Sequence, residues 1–393
     1  MSLRSREFFW GAGTSAHQVE GGNDADDWSD WERASTSGVA EPAGIACDHV
    51  RRYREDIALL AAAGLGCYRF SVEWSRIEPL EGRFSEHWLE HYRAMAACCT
   101  ELGMLAVPTL HHFTNPRWIA AAGGWENPAT ALSFARYCAI VTEALGDLAA
   151  MIITINEPNI VALLGYENGI FPPGKRDRAA RLCVTETFID GHRRATAAVR
   201  DRAPRTPVGL ALAMADWQAL PGGEPELEET RRLREDVFLE ATEGDDFVGV
   251  NTYTRHRIGP EGWLDNEPGV ELTAAGYEFW PEAVEATLRH AWLRTGGRTL
   301  IVTESGVATD DDARRVEYID RGIAAMRRAM NDGVEVRGYL HWSALDNFEW
   351  NHGFAQRFGL IAVDRQTQER TVKPSCRHLG KIARSSALAS AAG

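Results

Sequence analysis

Short apolar runs alternate with longer stretches of helical period along almost the whole chain. The apolar runs are Phe8–Ala12, Gly66–Val72, Leu105–Leu110, Met151–Asn156, Val208–Met214, Phe247–Asn251, Thr299–Thr303 and Val336–His341. Their length and their flanking glycines, prolines and charges predict buried strands. Between them, apolar positions recur with helical spacing over Arg52–Ala63, Glu86–Leu102, Pro128–Leu145, Ala180–Arg202, Glu226–Glu243, Pro281–Arg294 and Asp311–Asn331. Pro128 opens one of these, and Gly64, Gly103 and Gly146 stand just past the ends of others, as helix starts and stops require. Strands alternating with helices predict a parallel sheet. Eight strands close a ring, so the predicted fold is α/β, a (β/α)8 TIM barrel, in one domain over residues 1–393. An open doubly wound sheet is the alternative, but no strand leads into a glycine-rich phosphate turn. Thr36–Ala46 and Leu220–Pro225 read as loops and Ser385–Gly393 as a frayed tail.

Barrels of this kind carry their chemistry where strands end. Those ends hold Gln18 past strand one, Arg69 and Glu73 at strand two, His111 and His112 at three, and Asn156 and Glu157 at four. Asn251 and Tyr253 follow at six, Glu304 at seven and Trp342 at eight. Glu157 and Glu304 each cap a buried apolar strand, and the ring brings such ends towards one axis. Two carboxyl groups about 5–5.5 Å apart hydrolyse a glycoside with retention, one as nucleophile and one as acid and then base. The acid stays protonated because its neighbour's charge raises its pKa. For a single strand-end glutamate, simple emergence into solvent is an equal reading.

Composition narrows the field. Hydrophobic residues make up 45% and charged residues 25% of the 393, the proportions of a soluble globular chain. No apolar run is long enough to span a membrane, and Met1–Gly13 lacks the apolar core of a signal peptide, so a cytoplasmic location is expected. With 42 basic and 56 acidic residues the net charge is −14, which disfavours nucleic acid and anionic membranes as partners. Seven cysteines form no CxxC and read as reduced, mostly buried thiols. No metal or nucleotide motif stands in context. Tryptophan is abundant, 13 against 14 phenylalanines, and serves either cores or flat sugar platforms.

These residues fall in motifs: FFWGAGTSAHQVEGG (Phe8–Gly22), CYRFSVEWSRIEP (Cys67–Pro79), TLHHFTNPRW (Thr109–Trp118), TINEP (Thr154–Pro158), DFVGVNTYTR (Asp246–Arg255), VTESG (Val302–Gly306) and GYLHWSALDNFEW followed by RFGL (Gly338–Trp350, Arg357–Leu360). In this order the chain resembles family 1 glycoside hydrolases, the retaining β-glucosidases and β-galactosidases, from Phe8 to Pro374. The resemblance implies a barrel enzyme with no cofactor or metal and a pocket for one terminal sugar of a small β-glycoside. By position it makes Glu157 the acid/base and Glu304 the nucleophile. Asn156 would bind the 2-hydroxyl, and Arg69 and Tyr253 would hold Glu304 ionised and oriented. Gln18, His112, Glu349 and Trp350 match hydroxyl-binding residues, Trp342 the platform under the ring, and Phe358 the wall near the 6-carbon. Glu349, with Gln356, Arg357 and Phe358 beyond it, speaks against 6-phosphorylated sugars. A transglycosylase, which shares every one of these residues, and a catalytically inactive sugar-binding member are the other readings; both glutamates being present speaks against the inactive member. Oligomeric state stays open.

The chain departs from the family pattern at Ser305, where Asn is usual, at Thr114-Asn115-Pro116, where Asp-Leu-Pro is common, and at Thr252. It is also short between Ala213 and Thr299, on the outer, aglycone side. Trp10, Trp28, Trp31, Trp74, Trp125, Cys67 and Cys183 are assigned to packing. The acidic runs Asp24–Asp27, Glu224–Glu229 and Asp310–Asp312 read as solvated loops and helix starts.

Overall fold

The structure is a computed structural model and describes residues 7–391. Eight parallel strands form the barrel: β1 Phe9–Gly13, β2 Cys67–Ser71, β3 Leu105–His111, β4 Ile152–Asn156, β5 Val208–Ala219, β6 Phe247–Gly259, β7 Leu300–Ser305 and β8 Val336–Trp342. They pair in the order β5-β4-β3-β2-β1-β8-β7-β6, and β5 pairs with β6 to close the ring. The outer helices are α1 His49–Ala63, α2 Glu86–Glu101, α3 Ala129–Leu145 and α4 Arg178–Arg202. α5 follows as three continuous stretches, Glu224–Arg231, Arg232–Asp236 and Val237–Ala241, the middle one wound as a π-helix. α6 Ala283–Arg294, α7 Asp312–Asn331 and α8 Pro374–Ala391 complete the ring of helices.

Why the barrel carries a site at one end follows from period-two alternation. Phe9, Cys67, Val107, Ile153, Ala211, Phe247, Ile301 and Leu340, one from each strand, pack as an apolar cluster. Two residues further along the same face stand Arg69, Thr109, Thr303 and Trp342. The filling of the barrel thus switches from apolar to polar within one step towards the C-terminal ends.

All eight predicted strands form, with ends displaced by a residue or two except at β5 and β6. These two run well beyond their predicted ends because they pair on past the barrel, Asp216 with Arg255 through Ala219 with Ile258. A short antiparallel strand, Gly262–Leu264, folds back on β6. The resulting ribbon stands above the rim. Helix α8 has no counterpart in the predicted elements. It crosses α1 so closely that a Cβ at Gly380 would lie 1.8 Å from the Ala63 carbonyl oxygen. The helix continues through Ala391, where fraying from Ser385 was expected; Ser385 and Ser386 return hydrogen bonds to the Lys381 and Ile382 carbonyls. Residues 392–393 lie outside the described residues.

Two packing expectations need correction. Cys183 is exposed on α4, whereas Cys47, Cys67, Cys98, Cys99, Cys138 and Cys376 are buried. The run Asp24–Asp27 is not simply solvated. Asp26 is fully buried, because it caps the helix Asp27–Arg33 through the Ser29 amide and bonds His17 Nδ1 at 2.9 Å. Trp10, Trp28, Trp74 and Trp125 are buried as expected.

Candidate active site

A cavity of about 650 Å³ opens at the C-terminal ends of the strands, lined in part by Gln18, His112, Glu157, Glu304, Trp342, Glu349, Trp350 and Phe358. Beneath it lies a polar lattice built on Arg69. Its Nη1 donates to Glu304 Oε1 at 2.6 Å and to the Thr303 carbonyl at 3.1 Å. Nη2 donates to Asn156 Oδ1 at 2.5 Å and Nε to Thr109 Oγ1 at 3.1 Å. The guanidinium is wholly buried, so its charge is stabilised by this ring of acceptors from β3, β4 and β7 rather than by water. Tyr253 Oη donates to the second oxygen of Glu304 at 2.5 Å. The nucleophile candidate is therefore held at both oxygens.

Glu157 is held differently. It is a non-glycine residue at φ +46°, a conformation that L-residues adopt at a cost of about 1–2 kcal/mol. Pro158 follows and starts a short helix, Pro158–Ile160. One hydrogen bond to the carboxyl comes from Asn251 Nδ2, 2.8 Å from Oε1. Sequence reasoning places Asn251 at its strand end without a role, and so misses a member of the site. The same amide reaches Asn156 Oδ1 at 3.0 Å, and Thr303 Oγ1 donates to Asn251 Oδ1 at 2.6 Å. Its place two residues before Tyr253, on the same face of a strand, is the signal that marks it.

The two glutamates differ in electrostatics. Burial pushes both carboxyls up. For Glu157 it does so to about 8, with the charge of Glu304 adding to the effect and the Asn251 amide opposing it. Burial raises Glu304 as well, but Arg69 and the hydrogen bond from Tyr253 pull it back. The first proton the pair loses therefore comes from Glu304, and Glu157 remains an acid near neutrality.

The remaining predicted residues divide into wall and support. Asn156 is fully buried and engaged throughout. Its Oδ1 accepts from Arg69 and Asn251, so its Nδ2 faces His112 Nε2 at 3.2 Å and donates to it. That leaves the proton of His112 on Nδ1, which is buried with no protein partner. Burial and the Arg69 charge keep this histidine well below its ordinary pKa and neutral. Its ring stacks 5.6 Å from Trp342 and 6.3 Å from Trp350. Gln18 is wholly buried, donating to the Phe348 carbonyl at 2.7 Å and accepting from Ser15 Oγ at 2.6 Å. Glu349 accepts from Asn347 at 2.9 Å, and burial pushes its carboxyl to about 8. Phe358 meets Tyr253 edge to face at 5.9 Å and packs with Trp342. Gly306 explains the glycine of VTESG: a Cβ there would lie 1.8 Å from the Trp342 carbonyl oxygen. Arg357 points away, pairing with Asp310 on the surface.

The departures at Thr114 and Asn115 have a local reason. Asn115 Nδ2 and backbone N–H both donate to the Asp27 carboxylate at 2.8 Å. Its Oδ1 accepts from Trp125 Nε1 at 2.8 Å and stands 3.0 Å from His111 Nε2. Thr114 Oγ1 donates to Glu73 at 2.8 Å. These residues tie the loop after β3 to the loops after β1 and β2. Nothing in the structure explains Thr252.

The chain resembles known proteins both in sequence and in fold. The chain is 30% identical to β-glucosidase A of Thermotoga maritima over 94% of its own length and 95% of that protein. Its fold matches the crystal structure of β-glycosidase BGL167 with a TM-score of 0.91 at 43% identity, covering 96% of both chains. It also matches Thermotoga maritima β-glucosidase in complex with glucoimidazole, at TM-score 0.91 and 27% identity over 97% and 98% of the two chains, and in complex with galacto-hydroximolactam, at 0.92 and 28% over the same shares. The model of glycosyl hydrolase family 1 matches residues 3–245 and 242–387. With a closed barrel, two unlike carboxyls at its mouth and these matches along nearly its whole length, the chain is a glycosidase and belongs to glycosyl hydrolase family 1.

Proposed function

We propose that this enzyme is a retaining exo-β-glycosidase acting on terminal, non-phosphorylated β-D-glucosides, with β-galactosides and β-fucosides as further substrates. The observation that carries the reading is the contrast between Glu157 and Glu304. One carboxyl is protonated near neutrality, and the other is bound to a guanidinium and a phenol. Glu304 attacks the anomeric carbon, the glycosidic bond breaks, and the leaving oxygen takes the proton of Glu157. The resulting ester removes the negative charge that helped to raise Glu157, so its pKa falls and it becomes the base. Glu157 then takes a proton from water, the water oxygen bonds the anomeric carbon, and Glu304 leaves as carboxylate. Two inversions give net retention. Glucoimidazole and galacto-hydroximolactam, bound by the Thermotoga maritima relative, support gluco- and galacto-configured sugars as substrates.

Gln18, His112, Asn156, Trp342, Glu349, Trp350 and Phe358 are the sugar-binding set, and Arg69 and Tyr253 hold Glu304 in place. Glu349 on the cavity wall and Phe358 beside it offer a phosphate no cation. Burial keeps even the Glu349 carboxyl protonated to about pH 8, so a phosphate dianion there would lie uncompensated in a partly dry site. The test is proton NMR of aryl β-glucoside hydrolysis from the first turnovers. The β-anomer of glucose is expected before mutarotation; first formation of the α-anomer contradicts the reading. A panel of β-glucoside, β-galactoside, β-fucoside and β-glucoside 6-phosphate then ranks the sugars, with the phosphate expected last. A catalyst that passes the sugar to a second sugar in preference to water would show disaccharide in that spectrum.

A further inference from the structure

The outer half of the cavity holds a cation that the hydrolytic chemistry does not use. Arg234, in the π-helical stretch of α5, lines the cavity together with Trp217, Glu235, His256 and Trp263. Its guanidinium carbon lies 4.9 Å from the Trp263 ring and 5.7 Å from the Trp217 ring. Among the described residues no carboxylate or carbonyl accepts a hydrogen bond from it, unlike Arg181 and Arg231 nearby, which bond Glu167 and the Trp217 carbonyl. Three rings make a wall beside it: Trp217 and Trp263 meet edge to face at 5.0 Å, and His256 lies 4.2 Å from Trp263. Burial holds His256 neutral, with its pKa near 4. Trp263 is half exposed. This wall stands on the ribbon that β5 and β6 extend above the rim, beyond the catalytic glutamates.

We propose that Arg234 and the Trp217–Trp263 wall form an aglycone site for a planar aromatic leaving group that carries a carboxylate. The inference rests on the β-glycosidase reading and names its leaving-group class. A guanidinium with unfilled donors in a fixed fork matches a carboxylate in two-point geometry, and flat indoles offer their faces to a flat ring. A monoanion suits the place better than a dianion. The chain carries a net charge of −14, and Glu235 adjoins Arg234, although burial raises that carboxyl to about 7 and so weakens its charge near neutrality. The carboxylate itself is spectator to the chemistry, which remains cleavage of the glycosidic bond.

The experiment has two arms at pH 7. The first compares kcat/KM for 3-carboxyphenyl β-glucoside and its neutral 3-carbamoylphenyl counterpart, whose phenols are of similar acidity. The second measures binding of the free products, 3-hydroxybenzoate and 3-hydroxybenzamide, by titration calorimetry. Both arms are expected to favour the carboxylate about tenfold, the size of one charge-assisted hydrogen bond. About 1 M NaCl should shrink the preference. In Arg234→Met the ratio should fall to near one, and Arg234→Lys should keep part of it. The ratio is internal to each variant, so a general loss of activity does not move it. Equal handling of the pair by the unaltered enzyme, or a preference that survives in Arg234→Met, overturns the proposal. Failure to hydrolyse even the neutral glucoside refutes the β-glycosidase reading, while the binding arm still decides the role of Arg234.

Discussion

Glu157 does its work as an acid only while it holds a proton, and burial keeps that proton to about pH 8. Activity is therefore expected to fall as pH rises through about 8, the basic limb of a bell-shaped profile. Substituting Asn251 tests this assignment. Its amide donates to the Glu157 carboxyl and so favours the charged form. Asn251→Ala should lower kcat, because the Glu157 carboxyl loses the hydrogen bond that orients it. It should also move the basic limb of kcat/KM to higher pH; movement to lower pH would contradict the contact. Glu157→Ala should harm substrates in proportion to how much protonation the leaving group needs. General acid–base help is worth about 10²–10⁴-fold. Glycosylation by dinitrophenyl glucosides should therefore survive while that by alkyl glucosides collapses, read from burst kinetics. Equal losses on both would deny the acid role.

Among the elements, the strands were the most legible part of the sequence. A buried parallel strand is a short apolar run, and the residue that follows it lands at the barrel mouth, so Glu157 and Glu304 could be placed from local pattern alone. What local pattern could not supply was pairing above the rim. β5 beyond Met214 and β6 beyond Asn251 are mixed in polarity, and they are strands only because they bond one another. Asn251 and Arg234 were passed over for a similar reason, since their meaning lies in contacts from other elements. The loop after β3 shows this most clearly. Asn115 joins Asp27, Trp125 and His111 across two loops. Replacing it with Leu, the residue common in the family, should destabilise this chain by about 2–4 kcal/mol, because several buried polar groups lose their partners. Denaturant melts measure this. A neutral or stabilising result would show that the loops do not depend on the clamp.

The whole molecule carries an unusual load of buried acid. Glu157 and Glu349 keep protons to about pH 8, and Asp27, Glu73 and Glu235 to about 7. The unfolded chain loses these protons near pH 4. Where the native state binds more protons than the unfolded one, stability falls as pH rises. His17, raised by Asp26 and Glu32, acts in the same direction. The depressed histidines His111, His112, His256 and His341 act oppositely, but only below about pH 6.5, where an unfolded imidazole takes up its proton. Between pH 7 and 8 the acids act without that opposition. The melting temperature should drop by roughly 5 °C over that unit, and a flat or rising curve by calorimetry would contradict the burial of these groups as protonated acids. The barrel's central act is to set Glu304, on β7, against Glu157, at the end of β4, in unequal roles. Azide rescue measures those roles directly. With an activated aryl β-glucoside, Glu304→Gly should regain turnover and yield the α-glucosyl azide, and Glu157→Ala should yield the β-glucosyl azide. A β-azide from Glu304→Gly, or an α-azide from Glu157→Ala, would mean that the two carboxyls exchange the parts assigned to them.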